Sequence, residues 1–184
     1  MLEALHAQIE IKALIWLFLA AFMIHDLEEI IFVEGWMKKY GSSLKEKIPG
    51  AFSRLLSKYG DVTSSRFAVP VAFEFIAFIP ITFLAAERQH YTFFLGINAV
   101  MFLHVFTHLG HSLYLARYTP GVITALLVAL PYSSYMFYRL IGEGWIDWSD
   151  VWRSLPFGII LAPIVGLGYI TAKYILPASH EVRG

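Results

Sequence analysis

The sequence predicts an all-α, polytopic integral membrane protein: a bundle of five transmembrane helices with a short cytoplasmic helix at the interface. Three observations carry that prediction. The 184-residue chain is 58% hydrophobic and only 15% charged, a balance that soluble domains do not reach. Five apolar stretches are each long enough to cover the hydrocarbon core, which takes roughly 20 residues of helix. No Ser/Gly/Pro-rich linker, low-complexity tract or internal repeat divides residues 1–184, which read as a single transmembrane domain. The formal net charge is zero, so the total gives no pull toward nucleic acid. Cysteine is absent, which excludes disulfides, thiolate metal sites, iron–sulfur clusters and a cysteine nucleophile.

The first span covers about 11–33. Glu3 and Glu10 replace a basic start and no small-residue cleavage site follows, so this helix is expected to be retained rather than removed as a leader. The loop after it carries Lys38, Lys39, Lys45, Lys47, Arg54 and Lys58. By the positive-inside rule that loop is cytoplasmic, with the N-terminus outside and the C-terminus inside. Within it, Ser43 and Glu46 have capping-box spacing, and Leu44, Ile48, Phe52, Leu55 and Leu56 recur at helical intervals broken by Pro49. That pattern predicts the interfacial helix.

The remaining spans cover about 66–87, 90–116, 119–141 and 152–176. Pro70, Pro80, Pro131 and Pro163 fall inside them and read as kinks, whereas Pro120 opens the fourth span, where a missing donor costs nothing. Trp145, Trp148 and Trp152 mark one interface and Trp36 the other. In the last span Gly158, Ala162 and Gly166 form a small-residue face suited to close helix packing, within the chain or between two copies.

Ionisable groups interrupt the apolar spans in a pattern. At about 100° per residue, His25, Glu28 and Glu29 share one face of the first helix, and His104, His108 and His111 form one stripe on the third. Asp26 and Asn98 point away from these faces and are assigned supporting roles at most. Counted from the cytoplasmic ends, these six groups and Glu74 of the second span fall in one layer roughly 6 to 18 Å deep, at 1.5 Å per residue. Carboxylates at that depth need partners, and no Lys or Arg of the sequence falls in the layer. What remains is protons or metal ions.

Four imidazoles and three carboxylates supply enough donors for two divalent ions, with His25, Glu28, Glu29, Glu74, His104, His108 and His111 as the metal ligands. Mixed imidazole and carboxylate with open positions suits iron best, with zinc or manganese behind it. Glu28 and Glu74 are the candidate catalytic carboxylates. His6, His90 and His180 lie outside the layer and read as surface residues. Tyr114, Tyr118 and Arg117 fall at the cytoplasmic mouth.

His25-Asp26-Leu27-Glu28-Glu29 resembles the signature of the HXXEE-domain proteins, a bacterial membrane family, and the later helix with Asn98, His104 and His108 fits the same layout. The resemblance implies a membrane bundle with its site on the first and third spans, in a bacterial inner membrane, and leaves the reaction open. The expected function is that of a membrane metalloenzyme, a di-iron oxidoreductase acting on a lipophilic or small amphipathic substrate and served by an electron donor. The alternatives are a zinc-dependent or metal-free His/Glu acid–base enzyme (hydrolase, isomerase or cyclase) and, third, a metal-ion or proton carrier. Composition fixes neither the oligomeric state nor the substrate.

Overall fold

A computed structural model describes residues 9–47 and 62–176. These are predominantly helical, with no strand among the described residues. The helices are α1 (Ile11–Lys47), α2 (Ser64–Arg88), α3 (Thr92–Leu115), α4 (Val122–Thr124), α5 (Leu130–Gly142), α6 (Trp148–Ser154) and α7 (Leu161–Ile175). A π-helical segment, Ala125–Ala129, joins α4 to α5, and a 3-10 segment, Leu155–Ile160, joins α6 to α7.

Three helical runs are long and apolar enough to cross a bilayer: Ser64–Arg88, Thr92–Leu115 and Trp148–Ile175. They mark a membrane protein. α1 is long enough but carries Lys12, Asp26, Glu28 and Glu29 within its apolar stretch. The fourth expected span is wound in three pieces. Pro131 explains the break, because its ring displaces the carbonyl four residues back and the widened π turn absorbs the displacement. Pro70 and Pro80, by contrast, sit within an unbroken α2.

Two boundaries differ from the sequence expectation. α1 does not end near Val33 but runs on to Lys47, supported by the Glu34–Lys38 ion pair one turn apart. Ser43 and Glu46 therefore lie inside α1 instead of opening a new helix; the rest of the expected interfacial helix, residues 48–61, lies outside the described residues, as do His6 and His180. Pro120 precedes the fourth run, whose N-cap is Gly121.

Polar residues tie the bundle at two ends with an apolar belt between. At one end Lys12 pairs with Glu87, Arg139 donates to Glu143 and to the Ile9 carbonyl, and Asp147 and Asp150 form a capping box that starts α6. At the other, Trp36 Nε1 donates to the Tyr118 carbonyl at 2.7 Å and Arg66 to the Leu176 carbonyl at 2.9 Å. Near the first end, Phe18 packs against Phe78 and Phe94 with centroids 5.3 and 5.4 Å apart, and Phe22 meets Phe78 at 4.8 Å. This buried aromatic cluster closes that end of the bundle.

α7 packs along α2, with Gly168 against Pro70. α3 meets the 3-10 segment at Gly96 and Gly158, where a Cβ on Gly96 would lie 2.7 Å from the Ser154 carbonyl oxygen and 2.9 Å from Gly158 N. Of the expected small-residue face, Gly158 thus serves close packing. Ala162 and Gly166 serve another purpose: they line a cavity, and nothing lies within 4 Å of a Cβ built on Gly166.

Candidate metal centre

α1, α2, α3 and α7 enclose a cavity of about 860 Å³ that runs from the aromatic cluster toward the end bearing Trp36 and Tyr114. Six of the seven residues singled out in the sequence line it: His25, Glu29, Glu74, His104, His108 and His111. Four of them converge. His25, Glu29, His104 and His108 each offer one donor atom, and those four atoms lie within 4.8 Å of one another. His108 Nε2 is 2.9 Å from Glu29 Oε1 and 2.8 Å from His104 Nε2, and the His25 ring stands edge-on to the His108 ring at 4.9 Å between centroids.

The hydroxyls behind the imidazoles settle which nitrogen faces the centre. Thr124 Oγ1 has one hydrogen, which goes to Glu28 Oε2 at 2.5 Å. Its 3.1 Å contact with His25 Nδ1 must then be an N–H donated by the ring. His104 repeats the arrangement: the Thr107 hydroxyl donates to the His104 carbonyl at 2.7 Å, so His104 Nδ1, at 3.1 Å, donates to the hydroxyl oxygen. Both rings are then left with a bare Nε2, which for His104 faces His108 Nε2 at 2.8 Å. The acceptors that meet around His108 are satisfied either by a proton on His108 Nε2, donated to Glu29 or His104, or by a metal ion among them.

Glu28 departs from the expectation that it would be a ligand beside Glu29. Adjacent residues are turned about 100° apart on a helix, and Glu28 faces the start of the fourth run instead of the cavity. Its Oε1 accepts from the Tyr118 hydroxyl at 2.7 Å and from Ile123 N at 3.4 Å, and its Oε2 from Thr124 N at 2.7 Å and Thr124 Oγ1. Gly121, the N-cap, has no side chain to receive those amides. Glu28 caps that helix from a different one, a favourable place for a carboxylate. Burial, and after it the Glu28 carboxylate, push the Tyr118 phenol above its ordinary value, so the hydroxyl stays a donor.

Glu74 and His111 line the cavity outside the four-donor set. Asp26, given a supporting role from helix phase, is buried and lines the same cavity. Asn98 does stand apart, with its Oδ1 accepting from Ser133 at 3.2 Å. The residues missed were Thr107, Thr124 and Gly121. A threonine one turn from a histidine, as Thr107 is from His104, is too common in helices to signal a role, Thr124 is 99 residues from His25 in the chain, and Gly121 becomes informative only once φ is seen to be +87°.

The sequence of this chain matches the model of a family described as "Protein of unknown function with HXXEE motif" over residues 16–136, a segment that holds every residue of the centre and its supports. The uncharacterized protein YrkK of Bacillus subtilis (strain 168) is 26% identical over 164 residues, which cover 87% of this chain and 96% of the relative. No solved structure matches the chain. With the motif's three letters doing separate work, His25 and Glu29 at the centre and Glu28 behind it, the chain belongs to the HXXEE family.

Proposed function

We propose that the protein is a membrane-embedded metalloenzyme whose ion is held by His25, Glu29, His104 and His108 and whose substrate, lipophilic or amphipathic, occupies the adjoining cavity. The observation that carries this reading is the pair of hydroxyl-fixed histidines, which turn bare Nε2 lone pairs toward a carboxylate at a membrane depth where nothing else cationic is at hand. Three imidazoles and one carboxylate leave open positions on an octahedral ion, which favours iron over zinc and manganese; when bound, such an ion supplies Lewis-acid or one-electron oxidising chemistry. The protein's own part is to orient the ligands through Thr107, Thr124 and Glu28, and to keep water away with the aromatic cluster. An electron donor would complete an oxidative cycle. A second ion would have to draw on Glu74 and His111.

The chain crosses the bilayer five times in this reading, with α1 and the run 122–142 added to the three clear spans. Lys38, Lys39, Arg66 and Arg117 gather at the Trp36 end, which is therefore cytoplasmic, and the N-terminus is outside. A bacterial cytoplasmic membrane is the setting. The carrier reading is disfavoured because Phe18, Phe22, Phe78 and Phe94 close the path on the far side. Metal-free acid–base catalysis competes on one observation: a proton on His108 Nε2 would face both His104 and Glu29.

Elemental analysis decides between them. Protein purified without chelator and loaded anaerobically with iron should hold about one ion per chain, with nitrogen and oxygen neighbours by X-ray absorption. Substoichiometric metal after loading removes the metalloenzyme reading. A second prediction concerns the support behind His25. Glu28→Gln and Thr124→Val should each weaken metal binding by about 10–100-fold, the usual cost of losing an outer partner, when measured by chelator competition. Unchanged affinity in both variants would leave Glu28 with the helix cap alone.

A further inference from the structure

The walls of the cavity contain three carboxylates, Asp26, Glu29 and Glu74, and among the described residues no Lys or Arg. Glu29 has His108 as its partner. Asp26 and Glu74 receive no hydrogen bond from any described residue, although Asp26 is only 7% exposed. The two acids sit together. Asp26 follows Phe22 by one turn on α1, Glu74 precedes Phe78 by one turn on α2, and the two rings touch across the helix interface at 4.8 Å. Asp26 lies in the field of both Glu29 and Glu74. The Thr119 hydroxyl, also buried in the cavity wall, has no partner among the described residues.

α3 packs on the 3-10 segment at Gly96 and Gly158 while α7 packs on α2, and both helices line the cavity toward the Trp36 end. His104, on the seam between them, is left 47% exposed on a helix apolar enough to cross a membrane. From these observations, and resting on the substrate cavity proposed above, we infer that the ligand is a lipophilic amine. Its ammonium group lies between Asp26 and Glu74, and its hydrocarbon chain lies along Val71, Ile97, Met101 and Leu161, reached through the α3–α7 seam. A buried acid pair with no counter-charge selects for a cation and against an anion, and the apolar walls select for the chain.

The test uses full-length protein in zwitterionic nanodiscs, with empty nanodiscs subtracted, and three probes of equal chain length: dodecylamine, dodecanol and dodecanoate. Dodecylamine should bind saturably at about one equivalent per chain, with dodecanol about tenfold weaker and dodecanoate weaker still. Asp26→Asn should abolish the preference for amine over alcohol without lowering metal content. Gly166→Trp, whose new side chain enters open space at the seam, should slow uptake of all three probes. Equal binding of amine and alcohol, or an Asp26→Asn variant that keeps the preference, overturns the inference. So does a second metal ion ligated by Glu74. Because metal content is read on the same preparations, a wild-type protein that holds the ion but shows no amine preference counts against this inference alone, and a wild-type protein that shows the preference but holds no ion counts against the metalloenzyme alone.

Discussion

Of all single substitutions at the proposed centre, His108→Ala should reduce metal loading most. His108 is the hub of the four-donor set: its Nε2 lies within hydrogen-bond distance of both Glu29 Oε1 and His104 Nε2, and its ring is buried. Removing it deletes a ligand and also leaves the Glu29 carboxylate without its nearest partner at membrane depth. The loss of affinity should therefore exceed the ~10–100-fold expected for an outer partner. An unpaired buried carboxylate costs a few kcal/mol, about 3–5 when a buried pair is broken. Both effects are measurable, the first by metal content after loading and the second by the thermal unfolding midpoint without metal. His111→Ala, outside the set, should change neither quantity appreciably. If His111→Ala empties the centre and His108→Ala does not, the assignment of ligands is mistaken.

Gly121→Ala should be nearly as damaging although it adds a single methyl group. Gly121 holds φ at +87°, where a residue with a Cβ is strained by about 1–2 kcal/mol. A Cβ there would also lie 2.5 Å from His108 Cε1 and 2.8 Å from Glu29 Oε1. The turn before the fourth run is in effect the floor on which His108 and Glu29 rest. They cannot both stay in place beneath a methyl group. Expected is a lower unfolding midpoint together with weakened metal binding, each set against Gly110→Ala as the control. Gly110 is in mid-helix with nothing within 4 Å of a Cβ, and alanine there should raise helix stability by about 0.5–1 kcal/mol. A Gly121→Ala protein that behaves like Gly110→Ala would show that the turn has room to move.

Much of the centre was legible in the sequence because helix phase and depth are arithmetic. His104 and His108, four residues apart, had to share a face, and an antiparallel α2 had to bring Glu74 to the level of His25. The same arithmetic was too coarse for Glu28, Glu29 and Asp26. Glu28 and Glu29 were both assigned to the face of His25, each within about 60° of it. What separates them is the partner each meets, amides at the start of α4 for one and imidazoles for the other, and sequence phase carries no record of partners. Asp26 was set aside on phase and is buried in the cavity all the same, because α2 packs along α1 and the cavity wall extends beyond a narrow stripe. The end of α1 was misjudged for a different reason. Hydropathy reports where apolar residues stop, near Val33, whereas a helix stops where its hydrogen bonding is broken. Neither Gly35 nor Gly41 was enough to break it.

The π segment Ala125–Ala129 has an implication for how this chain tolerates insertions and deletions. A π turn houses one more residue than the α-helix it interrupts, and that extra residue sets the angular phase of everything after it. Deleting one residue within 125–129 would let the run relax to uniform α geometry and swing α5 by about 100° about its axis. Ser133 would leave Asn98 and Tyr132 would leave the Leu14 carbonyl, while Glu28 kept its hold on Thr124. The bulge thus divides the fourth run into two halves with separate loyalties, one keyed to the ligands and the other to the packing of the far end.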